Sequence, residues 1–295
     1  KLGSNDVNKI YLGTNELNLG SSLPLNDITG STAGFSLRKL TSSYNGSAIQ
    51  VRRASDNTTQ DIGFVNDVLD TASLNTFSSG TNAFVTIWYN QIDTSNNAIQ
   101  TALSNQPKIY DSSTGVETEN SKPAINFIKS SSTYLEVTDT SFGNIGDAIS
   151  NFSVVKPNLG LTSYPMIWSK SFSGQGSIAL SLGTSSGKIK FFIDQVGVGD
   201  YANMVDIRGS QRLISNFNDS SSNNRKIYNN SANVADISQS ADLLGSNTFK
   251  FAIGRSFQGT YYFDGFVQEI MLFDNNQITN RTTIEDNINA YYSIY

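Results

Sequence analysis

From Phe35 onward the chain is written in steps of two. Ile189, Phe191 and Ile193 alternate with Lys188, Lys190 and Asp194, and Phe249, Phe251 and Ile253 alternate with Lys250, Ala252 and Gly254. Successive side chains of an extended strand point to opposite faces, so each run has one apolar face and one wet face. Short runs of this kind separated by turn residues at close spacing are the pattern of an antiparallel sandwich or jelly roll. Arg225-Lys226-Ile227-Tyr228 leads into Asn229-Asn230, and Asn tolerates the left-handed backbone of a tight hairpin turn. Helix is scarce. The one well-patterned segment closes the chain, with Thr279 placed to cap and Ile284, Ile288 and Tyr291 at i, i+4 and i+7. A weaker helical pattern lies near Leu69 to Phe77. The prediction is an all-β fold, one antiparallel β-sandwich over residues 34–295 with the C-terminal helix docked on it.

The front of the chain is different. Lys1-Leu2-Gly3-Ser4-Asn5-Asp6-Val7-Asn8 recurs ten positions later as Tyr11-Leu12-Gly13-Thr14-Asn15-Glu16-Leu17-Asn18. One short strand plus one turn is the natural unit of such a repeat, and a lone unit cannot bury its apolar side without stacking on a neighbour. Residues 1–20 therefore read as a β-repeat stem and 21–33, rich in Gly, Ser and Thr with Pro24, as a linker. The local alternative is an ordinary β-hairpin packed on the sandwich domain. Lys9-Ile10-Tyr11-Leu12-Gly13-Thr14-Asn15-Glu16 resembles segments of bacteriophage tail-fibre and other virion proteins. That resemblance implies an assembly element, and a homo-oligomer, a trimer above all.

Composition removes several functions. There is no Cys and no His, so thiol nucleophiles, disulfides, Cys/His zinc sites and His-based triads are excluded. The net charge of −5 has no basic run behind it, which speaks against a nucleic-acid partner and against attraction to an anionic membrane. No apolar stretch approaches the ~20 residues that span a bilayer, so no membrane insertion is expected. The remaining chemistry belongs to carboxylates, Tyr, Lys or a hard cation.

Two stretches carry a resemblance to a known family. Ser36-Leu37-Arg38-Lys39-Leu40 through Asn45-Gly46 leads to Val51-Arg52-Arg53-Ala54-Ser55-Asp56 and on to Ile62-Gly63-Phe64, and Trp88-Tyr89-Asn90-Gln91 is followed by Asn97-Ala98-Ile99-Gln100. Together they resemble the start of the catalytic domain of α-L-arabinofuranosidase B-type proteins, glycoside hydrolase family 54. The rest resembles the concanavalin A-like, laminin-G-type lectin/glucanase fold, through Lys122-Pro123-Ala124-Ile125-Asn126-Phe127 with Tyr134-Leu135-Glu136-Val137, and through Ile253-Gly254-Arg255 with Phe263-Asp264-Gly265-Phe266-Val267-Gln268-Glu269-Ile270. The resemblance implies a concanavalin A-like jelly roll. It does not carry catalysis across. The family's Tyr-Asp-Gln appears here as Tyr89-Asn90-Gln91, its pair of adjacent pocket cysteines is missing, and its catalytic carboxyls match no identifiable position.

A glycosidase needs two carboxyl groups about 5 to 5.5 Å or roughly 6.5 to 9.5 Å apart. The glutamates are Glu16, Glu117, Glu119, Glu136, Glu269 and Glu285. Glu117 and Glu119 share a face if their segment is extended, and Glu269 has the best claim to a groove. A binding surface needs less: aromatic faces, amides and a carboxylate or cation. The Gly-rich segment around Asp200-Tyr201-Ala202-Asn203, Gly259-Thr260-Tyr261-Tyr262 with Arg255, and Trp168 near Pro165 supply them. The expected carbohydrate-binding residues are Trp168, Tyr201, Asn203, Arg255 and Tyr261. No cofactor is expected. Ca²⁺ is the one ion weighed, at Asp93 with Asn96 and Asn97 or at Asp264. Asp56 and Asn57 beside Arg52 and Arg53 read as a structural ion-pair and turn network. These expectations amount to an extracellular virion protein, a tail fibre or similar appendage, that binds a host-surface glycan without cleaving it and contacts other virion proteins. The alternatives are a secreted glycoside hydrolase of arabinofuranosidase-like descent and a capsid decoration protein.

Overall fold

The computed structural model describes residues 23–143, 146, 148–161, 164–170, 178–183, 186–193, 205–222, 224–238, 248–256 and 259–295, with the backbone of strands at 9–12, 15–18 and 196–199. Two antiparallel sheets face one another in a concanavalin A-like β-sandwich. The front sheet runs, strand beside strand, through Thr59–Ile62, Ile49–Arg53, Ala83–Trp88, Ala98–Ile99, Leu135–Val137, Phe251–Ile253, Met166–Lys170, Ile178–Leu182, Ile189–Ile193 and Val196–Gly199. In the back sheet Gly265–Phe273 pairs with Ser31–Ser36 and Ile125–Phe127 on one side. Ala148–Pro157, Arg212–Asp219, Asn224–Asn229 and Ala232–Ile237 follow on the other. Lys108–Asp111 pairs with a strand of each sheet and so joins the two.

Alternation decides which side chains meet between the sheets. Ile49 and Val51, Val85, Leu135 and Val137, Phe251 and Ile253, and Ile189, Phe191 and Ile193 all enter one core, as the period of two requires. Phe249 does not: it lies before the strand, half-exposed. Trp88 and Trp168 are both fully buried in this core. The hairpin after Tyr228 turns at Asn230 and Ser231, one residue later than expected, with φ of +50° and +64°. Two consecutive left-handed residues match the twist of the flanking strands. Gly265 has φ +142°, and a Cβ there would lie 2.2 Å from the carbonyl oxygen of Lys156, so only glycine lets these two strands approach.

Helix α1, Thr71–Ser78, starts where the Asp70 carboxylate accepts the backbone N–H of Ser73 at 3.0 Å. Helix α2, Arg281–Tyr292, covers the outer face of the back sheet. Ile284, Ile288 and Tyr292 pack on Phe152, Leu213, Phe217, Met271 and Phe273. The buried stripe closes on Tyr292, not Tyr291, and Asn280 rather than Thr279 occupies the N-cap position, without a side-chain cap bond. At the other end Asn120 Nδ2 donates to the carbonyls of Tyr292 and Ser293 at 2.6 and 2.8 Å, satisfying acceptors that a helix terminus leaves open.

The sandwich begins before the expected boundary. Ser31–Ser36 is already a strand on Gly265–Phe273, and Leu25 is buried in the layer under α2, so the later part of 21–33 belongs to the folded body rather than to a linker. At the front of the chain Lys9–Leu12 pairs with Asn15–Asn18 in a two-stranded sheet of its own, in the register Lys9 opposite Asn18 and Leu12 opposite Asn15. That pairing is within one chain. Residues 1–8 lie outside the described residues.

Candidate functional site

With α2 over the back sheet, the outer face of the front sheet is the one left for a ligand. Cross-strand register places one row of side chains on it: Phe192, Ala179, Ser169, Ala252, Glu136, Ile99, Ile87, Gln50 and Asp61. Directly opposed residues share a face. The neighbours of this row along each strand, such as Leu135 and Val137 around Glu136, are the ones that enter the core.

At the centre of the row stands Arg255. Gly254 precedes it with φ +88°, and a Cβ there would meet the Phe127 ring at 2.4 Å. The glycine ends the strand and turns Arg255 and Ser256 onto the outer face, where Arg255 pairs with Tyr262. Ser256 fastens that loop: its N–H donates to the Tyr261 carbonyl at 3.0 Å, and its Oγ accepts the N–H of Tyr261 at 3.3 Å. The Arg255 guanidinium lies over the Tyr134 ring, 3.5 Å from the centroid, and donates from Nη2 to Glu136 Oε2 at 2.7 Å. The second oxygen of Glu136 accepts from Lys250 Nζ. Arg255 Nε is buried without a hydrogen-bond partner. A cleft of about 220 Å³ opens beside these groups, lined by Glu136, Thr248, Phe249, Lys250, Ala252 and Arg255. Further along the same row Tyr261 and Tyr164 meet edge to face at 6.1 Å and pack on Met166, Ala179 and Phe192. The Tyr134 ring, two cations and a carboxylate thus meet on the outer face. Such a set can stack on sugar C–H faces and bond hydroxyls.

Of the residues expected from sequence, Arg255 stands at this cleft, while Tyr261 lies opposite Ser256 on the other face of the loop, with Tyr262 the residue opposite Arg255. Trp168 is not at the cleft: it is fully buried, stacks on Phe251 at 5.6 Å, and donates from Nε1 to Ser153 Oγ across the core. An irregularity in pairing between Met166 and Trp168 turns Met166 outward and the indole in. Tyr201 and Asn203 lie outside the described residues. Sequence reasoning missed Tyr134, Glu136, Lys250 and Tyr164. The signal for the first two was present, because Tyr134-Leu135-Glu136-Val137 alternates and puts Tyr134 and Glu136 on the wet face.

The other carboxylates singled out from sequence are structural. Glu269, the expected groove residue, is fully buried under α2 and held by Arg38 at 2.8 Å. Glu117 and Glu119 are engaged by different lysines, Lys108 at 2.9 Å and Lys156 at 2.7 Å, and form no pair over a cleft. Glu285 pairs with Arg281. Every glutamate whose side chain is described therefore has a cationic partner. Asp93 accepts from Ser95 and Asn96 in a tight turn, and Asp264 accepts the Lys129 N–H and the Asn158 amide. Among the described residues no group of three His, Cys, Asp or Glu could hold a metal ion. Arg53 and Asp56 pair at 2.7 Å, and Arg52 donates to Asn57 at 2.8 Å, the turn network read from sequence.

Asn90 and Gln91, where the resembling family has an acid followed by Gln, prove to be stitching groups. Asn90 Oδ1 accepts from Gly34 N and Ile92 N at 2.9 and 3.1 Å. Gln91 accepts from Leu40 N at 2.8 Å and donates to the carbonyls of Ser36 and Arg38. The bonds at Asn90 Oδ1 use an acceptor that Asp also has, while Asn90 Nδ2 is buried without a hydrogen-bond partner.

Comparison with known proteins bears on the fold. A family model, alpha-L-arabinofuranosidase B catalytic, matches residues 27–145. No curated protein matches by sequence. A solved glycoside hydrolase family 54 α-L-arabinofuranosidase, a glutamate-to-glutamine variant soaked with 4-nitrophenyl α-L-arabinofuranoside, is similar with a TM-score of 0.67 at 16% identity, covering 88% of this chain and 62% of its own. An arabinofuranosidase complexed with arabinofuranosyl-α-1,2-xylobiose gives 0.63, with the same identity and coverage. The chain thus shares the arabinofuranosidase-type fold and spans 62% of the length of these enzymes.

Proposed function

We propose that this domain recognises carbohydrate on the outer face of its front sheet, with arabinofuranosyl groups as the sugar. The observation that carries the reading is the Arg255 guanidinium held between the Tyr134 ring and Glu136 at an open cleft. The arabinofuranosidase-type fold supports the choice of sugar. Affinity electrophoresis in arabinan and arabinoxylan tests it: the protein should be retarded and Arg255→Ala should run free. Equal mobility of the two in both polysaccharides would overturn it.

Binding without cleavage is favoured because each described glutamate is ion-paired. Hydrolysis is the second reading, favoured by the match to the arabinofuranosidase catalytic model. It would draw its carboxyl pair partly from Asp194, Asp200 or Asp242, outside the described residues. Steady release of arabinose from arabinan, abolished by Asp194→Asn or Asp200→Asn, would establish hydrolysis. No release over a long incubation leaves recognition. The setting in an extracellular appendage, as a homo-oligomer among virion proteins and facing a host glycan, is a proposal that rests on the N-terminal repeat alone. Sedimentation of the chain with and without residues 1–20 tests its oligomeric part.

A further inference from the structure

We propose, resting on that reading, that the front face holds a glycan chain rather than one terminal sugar, with a distal subsite at the cleft beside Tyr44, Asp61 and Tyr89. Nothing in the Arg255 site requires this. It follows from register. Glu136, Ile99, Ile87, Gln50 and Asp61 stand opposite one another on adjacent strands, and four interstrand steps carry the row about 19 Å. That is the length of several sugar units. Its middle is apolar, with Ile99 and Ile87 half-buried on the outer side, and both ends are polar.

The distal end is built like a binding site and not like a plain strand edge. Asp61 Oδ1 accepts from the Tyr89 hydroxyl at 2.8 Å and from Gln50 Nε2 at 3.1 Å, and Gln50 Oε1 accepts from Thr86 at 3.0 Å. The second oxygen of Asp61, on an exposed residue, is open to a ligand hydroxyl. Tyr44 is fixed by a bond from its hydroxyl to the Ser47 carbonyl at 2.7 Å and by the Phe64 ring, edge to face at 6.4 Å. Burial and the nearby Asp61 push the Tyr44 phenol up to about 12, so it stays a donor. Tyr44, with Lys39, Asn45 and Phe64, lines a cleft of about 430 Å³, within the range of small-molecule sites. Its far wall is the hairpin Phe64–Val65 and Val68–Leu69, whose tip residues Asn66 and Asp67 have φ of +51° and +62°. Rigid aromatics, a half-used carboxylate and a fixed tip are pre-organised groups, which bind without an ordering cost.

Calorimetry with arabino-oligosaccharides from the disaccharide to the octasaccharide tests the chain reading. The wild type should gain at least about tenfold in affinity along the series. The double variant Tyr89→Phe with Asp61→Ala should bind the disaccharide like the wild type and lose that gain. Lys39→Ala, on the cleft rim, is a second check that leaves the Asp61 network intact and should reduce the gain in part. Arg255→Ala should weaken every length. A wild-type affinity independent of length overturns the distal subsite alone, as does a gain that survives both cleft variants. No binding at any length overturns the proposed function together with it.

Discussion

The two sheets each carry an Arg–Glu pair with a tyrosine ring against the guanidinium, and the two pairs have opposite uses. On the back sheet Arg38 grips both oxygens of Glu269 at 2.8 and 2.9 Å, donates to Asn287 at 2.8 Å, and lies near the rings of Tyr291 and Tyr292. Glu269 also accepts from Ser36 and Tyr292. Burial by itself pulls the Arg38 pKa down, but Glu269 holds its guanidinium above the ordinary value. On the front sheet Arg255 spends one Nη on Glu136, which shares itself with Lys250, and leaves Nε unpaired. The first set is saturated and covered by α2. The second keeps bonding capacity and an opening. Saturation separates a structural ion pair from one able to take a ligand.

The largest expected effect tests the saturated pair. Arg38→Ala leaves the Glu269 charge uncompensated beneath α2 and should cost about 3–5 kcal/mol in urea unfolding. Arg38→Met combined with Glu269→Leu should recover much of that, since apolar replacement of a buried pair is often neutral. A loss under about 1 kcal/mol for Arg38→Ala would show that water reaches the pair and that the contrast between the faces is false.

Lys170 sharpens the comparison, because it is a fully buried cation held by carbonyls instead of a carboxylate. Its Nζ donates to Thr140 O and Phe142 O, both at 2.6 Å. Burial lowers its pKa to about 8 from 10.5, against a smaller opposing pull from Asp139. Between those values the unfolded chain binds more protons than the folded one, so stability rises with pH. The rise should be on the order of 2–3 kcal/mol, and Lys170→Met should flatten it. Above pH 10 buried phenols work the other way: burial raises Tyr292 and Tyr44, and their contribution is lost as pH climbs through the folded values. The window to read is therefore pH 8–10. Unfolding midpoints of the two proteins that run parallel there would refute the assignment.

At the front pair the roles invert. Arg255→Ala should change stability by no more than about 1 kcal/mol, as a partly exposed pair does, while weakening arabinan binding about tenfold or more. A variant that unfolds early and binds normally would make Arg255 a second Arg38.

The fold was legible because alternation is a local property. Phe191, Phe251 and Ile253 reveal their faces without knowledge of their partners, and so did Ile284 and Ile288 on α2. The site was half legible. Tyr261 and Arg255 sit in a loop with recognisable ingredients, but the partner that gives Arg255 its geometry, Glu136, is 119 residues away. Glu269 and Trp168 were misplaced for one reason: composition says what a side chain can do, and only register says which way it points. One pairing irregularity at Met166 sends the Trp168 ring inward, and the position of α2 hides Glu269.

The smallest effect belongs to a third Arg–carboxylate pair, Arg53 with Asp56, which is nearly ideal in shape. Nε and Nη2 meet the two oxygens at 2.9 and 2.7 Å, Asp56 also accepts the Thr58 N–H at 2.9 Å, and the guanidinium lies 5.1 Å over Phe77. These bonds hold the Asp56 carboxyl well below its usual range. The stability they add is present above the unfolded pKa and is lost as pH falls toward the folded value. Yet both side chains are open to water, and an exposed pair gains little net energy over its solvated, separated state. A double-mutant cycle of Arg53→Ala and Asp56→Ala should accordingly give a coupling near the error of the measurement, shrinking further in high salt as screening sets in. If the coupling instead rivals that of Arg38 with Glu269, bidentate geometry and not burial sets the strength of these pairs, and the contrast drawn between the two faces loses its physical basis.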